Sequence, residues 1–323
     1  ATVPMSGPGW TAVLAAADAA DGNAATVTNQ DSDNNVQILA AAIVYARTGI
    51  QSYKDKVVTA CNKLSANPNT HPGDRTLSWA RETGAYALAA DLVGYSSTNF
   101  RTWLRNMAEV FRCTQIIGID GQYVTLLGMF KDRPNNWGSH AFGSLCAIYG
   151  YLGDTARLNE VRNYFLQSLS GPKPYEAQYG TDLSWHVDQN NPRWINPQGA
   201  TKSGLNIDGI IPDDQRRNGS FSNPPACNTD YHWEGQQGWV MGARILDRLG
   251  MSIYSASNQA IYRAAYALHV RWAGQFGSQW LAEGDDLWML KFIDSAYGTN
   301  LSGSADVWGS GKNAGWAYVT LAD

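Results

Sequence analysis

The sequence predicts an all-α fold, an α/α toroid (an incomplete barrel) of helical hairpins with long loops over one groove. Three features predict it. Apolar residues recur at helical spacing, paired helical stretches turn at glycines, and few stretches alternate with the period of two that a strand needs.

In the first pair, Val36, Leu39, Ala40, Ile43 and Val44 fall at i, i+3, i+4, i+7 and i+8, one stripe of an amphipathic helix. Gly49 stops it in "ARTGIQ", and Tyr53, Val57, Ala60, Cys61 and Leu64 draw a second stripe. Helix, glycine turn and helix make an αα-hairpin. The unit recurs in "ALAADLVGYSSTNFRTWL" about Gly94, in "CAIYGYLGDTARLNEVRNYF" about Gly153 and in "GARILDRLGMSIYSASNQAIYRAAY" about Gly250. After Gly153, Asp154 can cap a helix whose core face is Leu158, Val161, Phe165 and Leu169. The turns are unevenly spaced, so the repeat is loose and not a solenoid of fixed period. Apolar helices alternating with amphipathic ones suggest an inner and an outer ring.

Residues 170–231 break the pattern. They are rich in Pro, Gly and Asn, and a loop region that long inside a compact domain is usually functional. No linker flanked by two independent cores is visible, so residues 1–323 read as one domain.

Composition narrows the function. At 44% hydrophobic and 16% charged residues, the chain can form a core beneath a quiet surface. Its 13 Trp and 16 Tyr offer platforms suited to sugar rings, although most will simply pack. A net charge of −4 argues against nucleic acid as partner, which demands a basic face. No run of about 18 apolar residues is present to span a membrane.

The start, "ATVPMSGPGW", reads like a mature end left by signal cleavage, and the low Lys content with many Asn, Ser and Gly points to a secreted, extracellular protein, expected to be a monomer. Two sequons, Asn218-Gly219-Ser220 and Asn300-Leu301-Ser302, permit glycosylation. Cys61, Cys113, Cys146 and Cys227 have no CxxC spacing, which argues against zinc. At most two disulfides are expected, with Cys61–Cys113 favoured because both sit near the ends of neighbouring outer helices.

Several polar clusters have plain structural explanations. "DSDNNV" at 31–36 lacks the Gly and Glu of a calcium loop, so Asp33 or Asn34 reads as a helix cap. His71 and His269 stand alone. "GDD" at 284–286 reads first as a capped turn before a helix, and second as the carboxylate cluster of a glycosidase.

Three other groups fit better together. Asn135, Asn136, Trp137 and His140 open an apolar small-residue helix in "RPNNWGSHAF". Capping by one Asn explains one residue and not four, whereas amides at a helix start can bind a carboxylate with help from the dipole. Arg216 and Arg217 follow in "PDDQRRNGSF", the residue type suited to bidentate carboxylate capture. Tyr231, His232, Trp233 and Glu234 then open a second small-residue helix.

The ordered pattern "NNWGSH … DGIIPDDQRRNGSF … DYHWEGQQG" resembles the alginate lyase superfamily of α/α-toroid polysaccharide lyases, and "NQDSDNNVQILAAAIVYARTG" and "RETGAYALAADLV" fit it too. The likeness extends over essentially the whole chain. It implies cleavage of β-1,4-linked uronic acid polymers, mannuronate-rich alginate or glucuronan, by metal-independent β-elimination that leaves unsaturated uronate ends. No cofactor is implied. The partner is an anionic polysaccharide.

By the same resemblance Asn136 matches the carboxylate-neutralising Asn, Arg217 its Arg partner with Arg216 the register alternative, and Tyr231 the catalytic Tyr. The sequence departs at Trp137, which stands where related mannuronate lyases have His. His140, one turn later, or His186 in "LSWHVDQ" is then the assisting His. Asn135, Trp137, His186, Arg216 and His232 are expected to bind substrate.

The chemistry supports this choice of residues. Removing H5 makes a carbanion that is far too basic unless the adjacent carboxylate is neutralised and its charge delocalised, and each well-aimed donor is worth about 3–4 kcal/mol there. In 4-linked mannuronate or glucuronate, H5 and the O4 leaving group lie on one side of the ring, so a single phenol can be base and then acid. A groove with local positive charge is expected to draw the polymer in. The alternatives are an inverting glycoside hydrolase on the same toroid, using Glu234 with Asp285 or Asp286, and a non-catalytic polysaccharide-binding protein.

Overall fold

Glycine-punctuated apolar windows become helices throughout the chain. The computed structural model describes residues 5–73, 75–226, 230–303 and 315–316, and these are mostly helical. The helices are α1 (Pro8–Ala19), α2 (Asn34–Thr48), α3 (Gln51–Leu64), α4 (Thr76–Leu92), α5 (Thr98–Glu109), α6 (Leu126–Asp132), α7 (Asn136–Leu152), α8 (Thr155–Ser170), α9 (Pro212–Gln215), α10 (Tyr231–Arg248), α11 (Ala256–Tyr266), α12 (Ala273–Phe276) and α13 (Trp288–Tyr297). A π-helical turn, Ala267–Trp272, joins α11 to α12. The sheet among the described residues is one antiparallel ribbon, Thr201–Lys202 against Leu205–Asn206.

The hairpins turn where the glycines stand. Gly49 ends α2 at φ 72° and Gly153 ends α7 at φ 70°, left-handed conformations that a side chain would strain. Asp154 caps α8 by accepting the Arg157 N–H at 3.1 Å. The α2 start differs from expectation: Asp33 occupies the cap position without a side-chain capping bond. Ser32 Oγ accepts the Asn34 N–H instead, and the Asn34 amide is turned inward to Asp21 O and the Tyr86 hydroxyl.

Packing sorts the helices into two tiers. α2, α4, α7 and α10 pack in series, each against the next, while α3, α5, α8 and α11 flank them. α4 and α7 are buried on nearly every face, as a helix lying inside other helices must be. Their small residues permit close approach. A Cβ on Gly238 would fall 1.9 Å from Ser139 O, so α10 and α7 touch backbone to backbone at that level.

The long break at 170–231 is largely irregular but well anchored, for Trp185, Trp194, Ile195, Ile207, Ile210 and Ile211 are buried in the common apolar core. Trp316 donates from Nε1 to Val36 O and so ties the chain's far end to α2.

Cys61 and Cys113 are separate, buried free thiols, so the favoured disulfide does not form. Cys146 is also free, and Cys227 lies outside the described residues. Burial raises the Cys61 and Cys146 thiols well above their ordinary range, leaving them inert core residues. Among the described residues, no helix is long and apolar enough to cross a membrane.

Candidate active site

The starts of α7 and α10 lie side by side, and a carboxylate joins them. Asn136 opens α7 and Tyr231 opens α10. Glu234, one turn after Tyr231, accepts from Asn136 Nδ2 at 2.8 Å. Its other oxygen meets Arg81 Nη2 of α4 at 2.6 Å. Arg81 also donates from Nε to His140 Nε2 at 3.3 Å, so three inner helices converge on one guanidinium. Arg81 and His140 are buried, whereas the Glu234 side chain keeps 25% exposure.

At the start of α10, the Arg217 guanidinium lies 4.1 Å from the centre of the Tyr231 ring, a cation–π stack. Tyr231 is half-buried and Arg217 exposed, and Arg217 makes no ion pair among the described residues. This cation is available to a ligand.

Beneath, two adjacent carboxyls of α9 fix the α7 start. Asp213 takes Asn135 Nδ2 at 2.9 Å and the Gly180 N–H at 2.7 Å, and Asp214 takes the Asn136 N–H at 3.0 Å. Burial pushes the Asp214 carboxyl well above the ordinary range, against the Asn136 bond that favours its anion. Gly235 makes room for it, since a Cβ there would sit 2.4 Å from Asp214 Oδ2.

Several expected roles change. Arg216, expected to bind substrate, already has a carboxylate partner, for its Nε and Nη2 grip Asp213 at 2.6 and 3.2 Å. His232 is buried, with Nε2 accepting the Ile211 N–H at 2.9 Å and Nδ1 3.1 Å from the Gln236 amide. Burial lowers it to about 3, so it stays neutral and holds α10 to the chain before α9. His140 is fully buried and acts on Arg81 rather than on open space. Asn136 uses its amide on Glu234, not on an open position. Asn135 caps α7 by accepting the Trp137 N–H at 3.1 Å, and Trp137 packs on the core.

His186 is buried, edge-on to Tyr179 at 5.0 Å, and burial lowers it to about 4, with smaller effects from the nearby charges of Asp213, Lys202, Arg216 and Asp182. The remaining histidines are structural: His71 is bonded to Arg112 O and the Gly73 N–H, His269 to Leu301 O and the Ala282 N–H.

The surroundings of Tyr231 are not uniformly positive. Burial first, and then the neighbouring charges of Glu283, Glu234 and Asp285, raise the Asp230 carboxyl. Arg217 therefore shares the surroundings of Tyr231 with several carboxylates. "GDD" forms a 3-10 turn before α13, and Asp286 is buried there, accepting from Gln237 Nε2 at 2.7 Å and pushed well above the carboxylate range by desolvation.

Arg81 and the Asp213–Asp214 pair carry no role in the sequence reading. Arg81 had a visible signal, since it and Glu82 put adjacent charges inside a helix rich in small and apolar residues. No family model matches the chain, and no curated protein matches it.

Proposed function

We propose that the chain is a secreted polysaccharide lyase, cleaving β-1,4-linked uronic acid polymers by β-elimination from an α/α toroid. The observation that carries the reading is the Arg217–Tyr231 stack at the start of α10, on the same first turn as Glu234, which Asn136 and Arg81 hold. The two tiers of helices and the Trp316–Val36 tie support the toroid.

In this mechanism Arg217 receives the uronate carboxylate and draws off the charge that develops when H5 leaves. The Tyr231 oxygen accepts H5 as its own hydroxyl proton passes to O4, so the glycosidic C4–O4 bond breaks, the C4–C5 double bond forms and the phenol is regenerated. Glu234 is oriented by Arg81 and Asn136 and faces the same opening, where it can accept from a sugar hydroxyl. A carboxylate entering deeper competes with Glu234 for those two donors, which fixes how far the substrate penetrates.

Tyr231→Phe tests the reading. It removes only the hydroxyl, so kcat falls by several orders of magnitude with polymer binding nearly unchanged. A folded, fully active Tyr231→Phe enzyme ends the proposal.

One observation favours a second reading, an inverting glycoside hydrolase. Glu234 is ion-paired while Asp286 is driven towards its protonated form, and carboxyls held in contrasting environments are how a base and an acid are assigned. Hydrolysis adds water across the bond and elimination does not, so the product separates the two.

A further inference from the structure

The break at 170–231 contains a pocket that the site above does not use. Its volume is about 240 Å3, room for a single sugar ring, and its walls include His186, Asp188, Asn191 and Arg193 over a floor of Ile195 and Pro197. The Asp213–Arg216 ion pair is its nearest link to the α7 start, through the charge that Asp213 and Arg216 exert on His186.

Asn196 accepts the Val187 N–H at 3.0 Å and donates to Trp185 O at 2.9 Å, pinning the two sides of the loop together. Asn191 accepts the Lys173 N–H through Oδ1 at 3.2 Å, which leaves its amide NH2 to donate elsewhere. The half-buried Arg193 makes no hydrogen bond or ion pair among the described residues, and His186 Nε2 is buried without a partner. A preorganised set of donors around a cavity binds with little ordering cost.

We propose that this pocket binds a carboxylate-bearing sugar, a uronate unit, at a site separate from the Tyr231 groove. Arg193 supplies the bidentate fork for the carboxylate. Asn191 donates to, and Asp188 accepts from, ring hydroxyls, and Ile195 and Pro197 meet the apolar ring face. The Asp188 carboxylate selects the ligand class, for it repels a bare inorganic anion yet welcomes hydroxyl donors beside the charge. The proposal rests on the pocket's own chemistry and stands whether or not the chain cleaves polymer.

The test is calorimetric titration of the whole protein with sodium glucuronate, with glucose and inorganic phosphate as controls. Saturable glucuronate binding is expected, at least about tenfold tighter than either control, since a hydrogen bond to a charged group is worth that factor. Arg193→Ala weakens it at least about tenfold at unchanged Tm, because no buried partner is orphaned. Asn191→Asp, which places a second negative charge in the wall, does the same. Absent binding, phosphate binding as tightly, or wild-type affinity in both pocket variants each overturns the proposal.

Discussion

Replacing Arg81 by leucine removes one partner of a largely buried ion pair and strips His140 Nε2 of its donor. The side chains of Arg81 and Glu234 are only 8% and 25% exposed, so the carboxylate left behind is poorly solvated. Losing one member of such a pair costs about 3–5 kcal/mol. Glu234 keeps the 2.8 Å bond from Asn136 and some contact with water, which places the loss near the lower end. For a chain of 323 residues, unfolding entropy of about 2.1 cal/mol/K per residue converts that loss to a fall in Tm of roughly 4–5 °C. The double variant Arg81→Leu/Glu234→Leu removes both charges and recovers at least about 1 kcal/mol relative to additivity. Thermal and denaturant unfolding of the four proteins measures the cycle. A single-variant loss below about 1 kcal/mol, or strict additivity, refutes the view that this pair joins α4 to α10.

Gly238→Ala drives a methyl group into Ser139 O and forces α7 and α10 apart, so Tm and kcat both fall. A variant that loses neither contradicts the backbone contact described here. Stability also depends on His186 and His232, whose folded-state values are lowered to about 4 and about 3 by burial. The folded protein keeps them neutral while the unfolded chain takes up protons, so each contributes stability that is present above about pH 6.5 and is lost as pH falls, by about 1.4 kcal/mol per pH unit. The raised Asp214 and Asp286 act in the opposite sense, their contribution growing as pH falls through their folded values. His232→Gln isolates one histidine: urea unfolding between pH 6.5 and 4 shows the slope reduced by about 1.4 kcal/mol per unit, and an unchanged slope speaks against a buried neutral His232.

Much of the architecture was legible because helical spacing and glycine turns are local. Val36 to Val44, Gly49, Gly153 and Asp154 do in the fold what their positions suggest. The starts of α7 and α10 at Asn136 and Tyr231 were legible for the same reason. What escaped is pairing across the chain. Arg216 and Arg217 are neighbours of one type, yet Asp213 engages the first and leaves the second exposed. Only tertiary packing sorts them. His232 adjoins Tyr231 in sequence, but helical geometry turns it inward to Ile211. Glu234 and Arg81 lie far apart along the chain, so their ion pair left no local trace. The Cys61–Cys113 pairing was inferred from expected helix ends, and spacing cannot fix whether two sulfurs meet.

The most direct test of elimination is the mass and ultraviolet absorbance of oligosaccharides released from polyglucuronate and polymannuronate. Elimination by Tyr231 yields fragments one water lighter than the hydrolytic products, with an absorbing C4–C5 double bond at the new non-reducing end, and Tyr231→Phe yields none. Saturated, non-absorbing fragments of hydrolytic mass would contradict elimination and assign the chemistry to Glu234 and Asp286 instead.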